Sequence, residues 1–408
     1  MGMGRRMLGV IVAGGRPPLE AIGIADDAAL TPFAGKYRFI DFALATMRNS
    51  GASSIYVMAP LPGPELRAHL ARGELAGHRS DPPLLLPLPG EGGQGRSNRL
   101  RQTLAGCREL IRTHQPETIV VLLADHILQL DLRQLADAHD DLRADVTLAA
   151  LPVPVGEATS RTVLRVAGDQ QVHEVQRSPV LPATAPGSRA FALSWAGDVV
   201  VSAERLDALL DVVPPDGGED DAGPLQALAD ALRVVAHDVL ETRLPGCSQG
   251  PGAYWHDPTT LEAYYDAQMD LCTPRPALDL YNPAWPVRPV PSGLGPAKVV
   301  ADAAGRAGQA LNTLVSDGAV IRGGVVINGV LGHGVVIESG AEVEDSVLLD
   351  GCRIGRRARV RRAVIGAGAM VAAEEEIGYG ALPPAGRLVD SGLTIIPPPA
   401  ANVSDGSR

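Results

Sequence analysis

The sequence predicts two domains in series: an α/β domain built on a mostly parallel sheet, then a left-handed parallel β-helix. Three observations carry this reading. The chain has 408 residues, too many for one hydrophobic core. Its first part alternates apolar runs with helical stretches, the order that gives a parallel sheet covered by helices on both faces. After about residue 275 the texture changes to a sixfold periodicity.

The elements follow in order. Residues 7–13 form an unbroken apolar run ending at Gly14-Gly15, the way a buried parallel strand enters a phosphate-facing loop. A helix is predicted over 39–50, stopped by Asn49-Ser50-Gly51 as a C-cap. A strand over 54–59 and a helix over 65–72 come next. Residues 79–97, rich in Pro, Gly and Ser, read as an exposed loop. A helix over 104–113 then leads to the strongest strand signal, 118–124. Ligands of such sheets bind beyond the carboxyl ends of the strands, where Gly14, Gly15 and Asp125 stand.

A proline-rich linker (Pro274, Pro276, Pro283, Pro286, Pro289, Pro291) separates the two textures. Beyond it aliphatic residues recur at Val325, Leu331, Ile337 and Val343. After a slip of one they return at Ile354 and Val360, then at Ile365 and Val371. Small residues follow several of them, as in Leu331-Gly332, Ile354-Gly355 and Ile365-Gly366. A six-residue period drifts off the face of a helix but fits a triangular coil whose aliphatic residues point into the shaft. An antiparallel sheet would need turn signals at roughly 8–12-residue spacing, which are absent. The expected boundaries are 1–275 for the α/β domain, 276–298 for the linker, 299–400 for the β-helix and 401–408 for a tail.

Composition excludes several classes of function. The net charge of −11 argues against non-specific nucleic-acid binding. No stretch approaches the roughly 20 apolar residues of a membrane span, and the run after Arg5-Arg6 is too short for a signal peptide. The expected location is therefore cytoplasmic. The four cysteines show neither a disulfide framework nor CxxC spacing. Lysine is confined to Lys36 and Lys298, which excludes any mechanism needing several lysines.

Several blocks together resemble the ADP-glucose pyrophosphorylase (glucose-1-phosphate adenylyltransferase) family. They are Val12-Ala-Gly-Gly-Arg16, Phe33-Ala-Gly-Lys-Tyr-Arg-Phe-Ile-Asp-Phe-Ala43, Ala124-Asp-His-Ile127, Leu151-Pro-Val-Pro154 and Tyr254-Trp-His-Asp257. The stretch Asp279-Leu-Tyr-Asn-Pro-Ala-Trp-Pro286, Pro296-Ala-Lys298 and the sixfold repeat continue the likeness in the same order. The resemblance implies a Rossmann-like, GT-A-like nucleotidyltransferase domain in a cytoplasmic enzyme of glycogen or α-glucan synthesis. Such an enzyme joins ATP and glucose 1-phosphate to give ADP-glucose and pyrophosphate. It implies Mg²⁺ held by Asp125 and Asp257, since that ion prefers carboxylate oxygens plus phosphate. Arg16 is then the catalytic arginine, Gly14, Gly15, Gly95 and Asp125 line the nucleotide, and Arg177, Trp195 and Gly197 face the sugar. A tetramer and an anionic metabolite effector are also implied.

Departures from the family pattern gather at the phosphate-gripping positions. The first loop reads Gly14-Gly15-Arg16-Pro17-Pro18-Leu19 where the family has Gly-Gly-x-Gly-x-Arg-Leu. Two prolines remove two amide donors from the anion cradle. The family's Arg-Ala-Lys-Pro becomes Asp26-Asp27-Ala28-Ala29, placing carboxylates where a triphosphate needs cations. Glu-Lys-Pro becomes Arg177-Ser178-Pro179, the serine of Ser-Met-Gly becomes Trp195, and Gly-Thr-Ala-Asp survives only loosely as Gly95-Arg96-Ser97-Asn98. An indole at 195 fills sugar space. The active site reads as degenerate.

Three functions remain open at this point. The first is a weakly active or non-catalytic regulatory subunit in a homo- or hetero-tetramer with a catalytic homologue, which explains why scaffold blocks survive and phosphate ligands do not. The second is an active adenylyltransferase, supported by the retained Asp125 and Asp257. The third, an acyltransferase of hexapeptide type, needs a histidine base, and His333 is the only histidine in the predicted β-helix. Separately, Arg356, Arg357 and Arg359 cluster on neighbouring coils and suit bidentate binding of an anionic effector, with Arg5-Arg6 as further candidates.

Overall fold

The computed structural model describes residues 6–14, 27–60, 62–75, 83–89, 96–213, 221–247, 252–380, 386–389 and 391–399. The chain forms two compact units. The first comprises Met1–Gly15, Ile40–Trp255 and Asp279–Arg288; the second comprises Arg16–Phe39, His256–Leu278 and Pro289–Arg408.

In the first unit nine strands form one sheet among the described residues: β1 (Met7–Val12), β2 (Ser54–Ala59), β3 (Leu84–Pro87), β4 (Thr118–Leu123), β5 (Val146–Pro154), β6 (Thr162–Val166), β7 (Val172–Arg177), β8 (Phe191–Ser202) and β9 (Val234–Asp238). Their main order is β7-β6-β8-β4-β1-β2-β3, with β5 beside β8 and β9 beside β5. Strands β4, β1, β2 and β3 run parallel, and β8 lies antiparallel to β4, β5 and β6. Every residue of β1 and β4 is buried. That is why both read as continuous apolar runs rather than alternating ones. Helices α1 (Phe39–Asn49), α2 (Pro64–Leu75), α3 (Arg96–His114), α4 (Leu132–Asp141), α5 (Leu206–Val212) and α6 (Ala222–Ala231) accompany the strands. Helix α3 turns Leu100, Leu104, Cys107 and Leu110 into the core, three to four residues apart as one helical face requires.

Two expectations need correction here. Residues 79–97 are not wholly a loop: β3 lies within them, paired in parallel with β2 from Tyr56↔Leu84 to Ala59↔Pro87. It is an edge strand, half exposed, and an edge tolerates the flanking prolines that suggested a loop. Helix α3 also begins at Arg96 rather than near 104. Its first turn, Arg96-Ser97-Asn98-Arg99, carries no apolar period, so the helical pattern becomes visible only later. The backbone amide of Ser97 donates to Asp221 Oδ1 at 2.7 Å, satisfying one of the open N–H groups of that first turn.

The second unit contains the repeat. Short strands stack mostly in parallel; strand residues from Gln309 to Val360 pair with a counterpart 16 or 17 positions on, whereas Lys298–Val300 pair 22 positions on and Ala363–Ile365 pair 31 positions on, with Thr394–Ile396. One inward column is Ile321, Ile337, Ile354 and Val371; a second is Val326, Val343, Val360 and Ile377; a third is Leu331, Leu348, Ile365 and Ile396. All but Val371, Ile377 and Ile396 are fully sealed from solvent. The expected inward residue Val325 is only half buried, and Val326 points into the shaft instead. The period there is five rather than six, so the phase slips by one residue.

Asn312, Asn328, Asp345 and Arg362 form a corner column with left-handed backbone, φ between 45° and 51°. Asn312 Nδ2 donates to Asn328 Oδ1 at 3.2 Å and Asn328 Nδ2 to Asp345 Oδ1 at 3.0 Å. Helix α7 (Leu261–Asp270), capped by Thr260, lies against these coils: the Tyr265 hydroxyl donates to the carbonyl of Asp345 at 2.7 Å. The hairpin Pro32–Phe33 with Tyr37–Arg38 joins the same unit. The Tyr264 hydroxyl donates to the Pro32 carbonyl, and Arg38 pairs with Asp350 at 2.7 Å. No helix among the described residues is long and apolar enough to cross a membrane.

Candidate functional site

The site grows from two adjacent parallel strands. β1 and β4 pair up to Val12↔Leu123, and the Ala124 amide donates to the Val12 carbonyl at 2.9 Å. The chain therefore leaves the sheet side by side, at Gly14 and at Asp125. Gly14 holds φ +101°, and a Cβ there would meet Pro60 at 2.8 Å.

A bulge in β8 supplies the next group. The register slips between Trp195 and Val199, with Gly197 at φ +104°. This turns Asp198 inward: its Oδ1 accepts from the Leu123 amide at 2.9 Å, and its Oδ2 lies 3.1 Å from His126 Nε2. The other ring nitrogen of His126 lies 3.0 Å from Asp125 Oδ1. An imidazole that donates from both nitrogens carries a proton on each. Burial alone would lower the His126 pKa, but the Asp198 and Asp125 carboxylates outweigh it and push it up to about 9. Its ring also stacks at a tilt on Trp255, centroids 5.0 Å apart.

Helix α3 closes the other side. Arg99 donates to Asp125 Oδ2 at 2.8 Å and, through its second terminal nitrogen, to the Gly14 carbonyl at 2.8 Å. Arg96 reaches Asp125 Oδ1 at 3.5 Å. Its aliphatic stem passes over Gly197, where a Cβ would stand 3.5 Å from Arg96 Cδ and 2.9 Å from Leu123 Cδ1. Burial would raise the pKa of Asp125. Arg96, the hydrogen bond from His126 and Arg99 together hold it well below the usual carboxylate range. Asp125 is thus an ion wrapped by three cationic groups.

The other expected residues are placed as follows. Arg16, Gly15 and Gly95 lie outside the described residues. Arg177 is exposed at the end of β7, opposite Thr162. Trp195 is 4% exposed and belongs to the core cluster of the first unit, with its indole N–H unpaired. Asp257 belongs to the second unit, half buried ahead of α7, its carbonyl accepting from the Thr259 amide. Arg356, Arg357 and Arg359 are exposed. Arg357 pairs with Glu374, and Arg359 pairs with Glu376 at 2.9 Å and Glu342 at 3.5 Å while stacking on Tyr379. His333 sits in the β-helix with its backbone amide donating to Asp350.

Sequence reasoning missed Arg99 and Asp198 altogether. An aspartate inside the apolar run of β8 was the available signal for the second. For the first, two arginines three residues apart are visible in the chain, but the predicted loop ends at residue 97 and the predicted helix starts only at 104, so Arg99 falls between them.

Comparison with known proteins places this architecture. Residues 8–273 match the nucleotidyl transferase family and residues 295–396 the GlmU-like C-terminal hexapeptide family. The chain is 32% identical to glucose-1-phosphate adenylyltransferase of Deinococcus radiodurans over 88% of its length and 90% of the relative's. The protein of the same name from Thermus thermophilus is 35% identical over 83% of this chain and 84% of its own. That from Anaeromyxobacter sp. is 32% identical over 96% and 98%. The chain belongs to the glucose-1-phosphate adenylyltransferase family. The stacked coils of this family member are accordingly a left-handed β-helix of hexapeptide type.

Nucleotidyl transferases generally work with a divalent metal such as Mg²⁺, so the fit of Asp125 to such an ion can be tested. Of the carboxylate's oxygens, Oδ2 serves Arg99 and Oδ1 serves His126 and Arg96. A dication sharing an oxygen with a guanidinium meets like-charge repulsion and competes with its N–H groups for the same lone pairs. Among the described residues no group of three or more His, Cys, Asp or Glu side chains is disposed to hold a metal. In this family member Asp125 does not fit Mg²⁺ as its neighbours are placed.

Proposed function

We propose that this member of the family is a weakly active or non-catalytic regulatory subunit that joins a catalytic homologue in a mixed tetramer of α-glucan synthesis. The supporting observation is the Arg99–Asp125 pair at 2.8 Å. It occupies the carboxylate that the resemblance assigns to metal. Loss of one charge-assisted phosphate contact costs about 1.5–3 kcal/mol. Several such losses suppress turnover by orders of magnitude. ATP and glucose 1-phosphate would be the ligands of the catalytic homologue, with any binding here serving response rather than chemistry.

Assembly is supported by the end of the solenoid. Among the described residues, Lys298–Val300 and Gln309–Leu311 each pair with a strand on one side only. They leave Val299 46% and Leu311 59% exposed. Unpaired parallel edges with apolar side chains call for a covering partner. The expected anionic effector would have to displace Glu374 and Glu376 to reach Arg357 and Arg359, which favours a structural role for those two arginines.

The test is reconstitution with an active homologue. Co-purification with a changed maximal rate or effector response supports the subunit reading. Absence of both association and kinetic effect would contradict it.

A further inference from the structure

Arg96 and Arg99 open helix α3, with no acidic residue in its first turn. Cations there face the positive end of the helix dipole, so nothing local favours them. What holds them lies outside the helix. Arg99 spans the two strand ends, with one nitrogen on the Gly14 carbonyl and the other on Asp125 Oδ2. Arg96 lies across the glycine of the β8 bulge and faces Oδ1 of the same carboxylate. The Arg96, Arg99 and Asp125 side chains are 21%, 12% and 14% exposed. The pair is therefore a largely buried feature of the strand ends and not a solvated surface contact.

We infer that Arg99, assisted by Arg96, takes the place of a divalent cation at Asp125, so that this carboxylate binds no metal in the intact chain. A guanidinium delivers a fixed positive charge and two directed N–H groups, and it ties β1 to α3 while doing so. A phosphate-bearing compound approaching these strand ends would meet guanidinium N–H groups, not a metal. This deepens the proposed loss of turnover. Its test reads metal binding alone, so either idea can fail without the other.

The experiment is a Mn²⁺ titration of the full chain followed by electron paramagnetic resonance of the free ion. Three proteins are compared: the unaltered chain, Arg96→Ala with Arg99→Ala, and that double variant with Asp125→Asn. A double variant of Arg96→Gln with Arg99→Gln keeps amide donors beside Asp125 in case the alanine pair fails to fold. The expected result is one additional Mn²⁺ site in the double variant, at least about tenfold tighter than anything Asp125 gives in the unaltered chain, and lost again on adding Asp125→Asn. A Mn²⁺ site in the unaltered chain that Asp125→Asn abolishes would overturn the inference. So would a folded double variant that gains no site.

Discussion

Two carboxylates, the part-buried Asp125 and the buried Asp198, grip one imidazole from opposite sides and push its pKa up to about 9. The largest influence raising its pKa is Asp198. Asp198→Asn is therefore expected to lower the His126 pKa from about 9 towards its ordinary value, read from the ring proton shifts by NMR. An unchanged titration would mean that Asp125 alone holds the proton. The raised His126 pKa contributes stability that is full below the unfolded value and is lost as pH rises through about 9. The depressed Asp125 pKa contributes stability that is lost as pH falls through the carboxylate range. Thermal stability is thus expected to fall from neutral pH through about 9, and Asp198→Asn is expected to flatten that alkaline decline. Gly197→Ala places a Cβ against Leu123 at φ +104° and is expected to cost about 1–3 kcal/mol in chemical unfolding. At this scale much was hidden from the sequence. Asp125 was visible because it ends an apolar run, whereas its neutralisation by Arg99 depends on a helix start with no apolar pattern.

Elements were far more legible. β2 (Ser54–Ala59) lies where the pattern predicts it, and β1 and β4 end within a residue of expectation, because buried parallel strands announce themselves as unbroken apolar runs. The edge strand β3 and the first turn of α3 were obscured, the one by prolines and the other by polar residues. In the β-helix the columns through Ile337, Val343, Ile354, Val360, Ile365 and Val371 follow the predicted phase. The exception at Val325 arises because a coil of 16 or 17 residues cannot be divided into equal sixes. The corrected phase makes a direct prediction: Val326→Ala should cost roughly 1–3 kcal/mol in unfolding of the second unit, and Val325→Ala clearly less. Equal effects would contradict the register. Ile354→Ala, in the middle of a sealed column, should cost about 2–5 kcal/mol.

For the molecule as a whole, order of blocks and charge were readable from the chain, and the family follows from likeness over most of its length. Catalytic competence was not readable from scaffold, since a fold is retained when its chemistry is not. In the proposed reading it depends on the cations beside Asp125, of which Arg99 stands at 2.8 Å. The most direct measurement is pyrophosphate release from ATP and glucose 1-phosphate with Mg²⁺ by the chain purified alone. The account predicts release at or near background, unchanged by Asp257→Ala. Turnover in the usual enzymatic range, abolished by Asp257→Ala, would contradict it and mark the chain as an active adenylyltransferase.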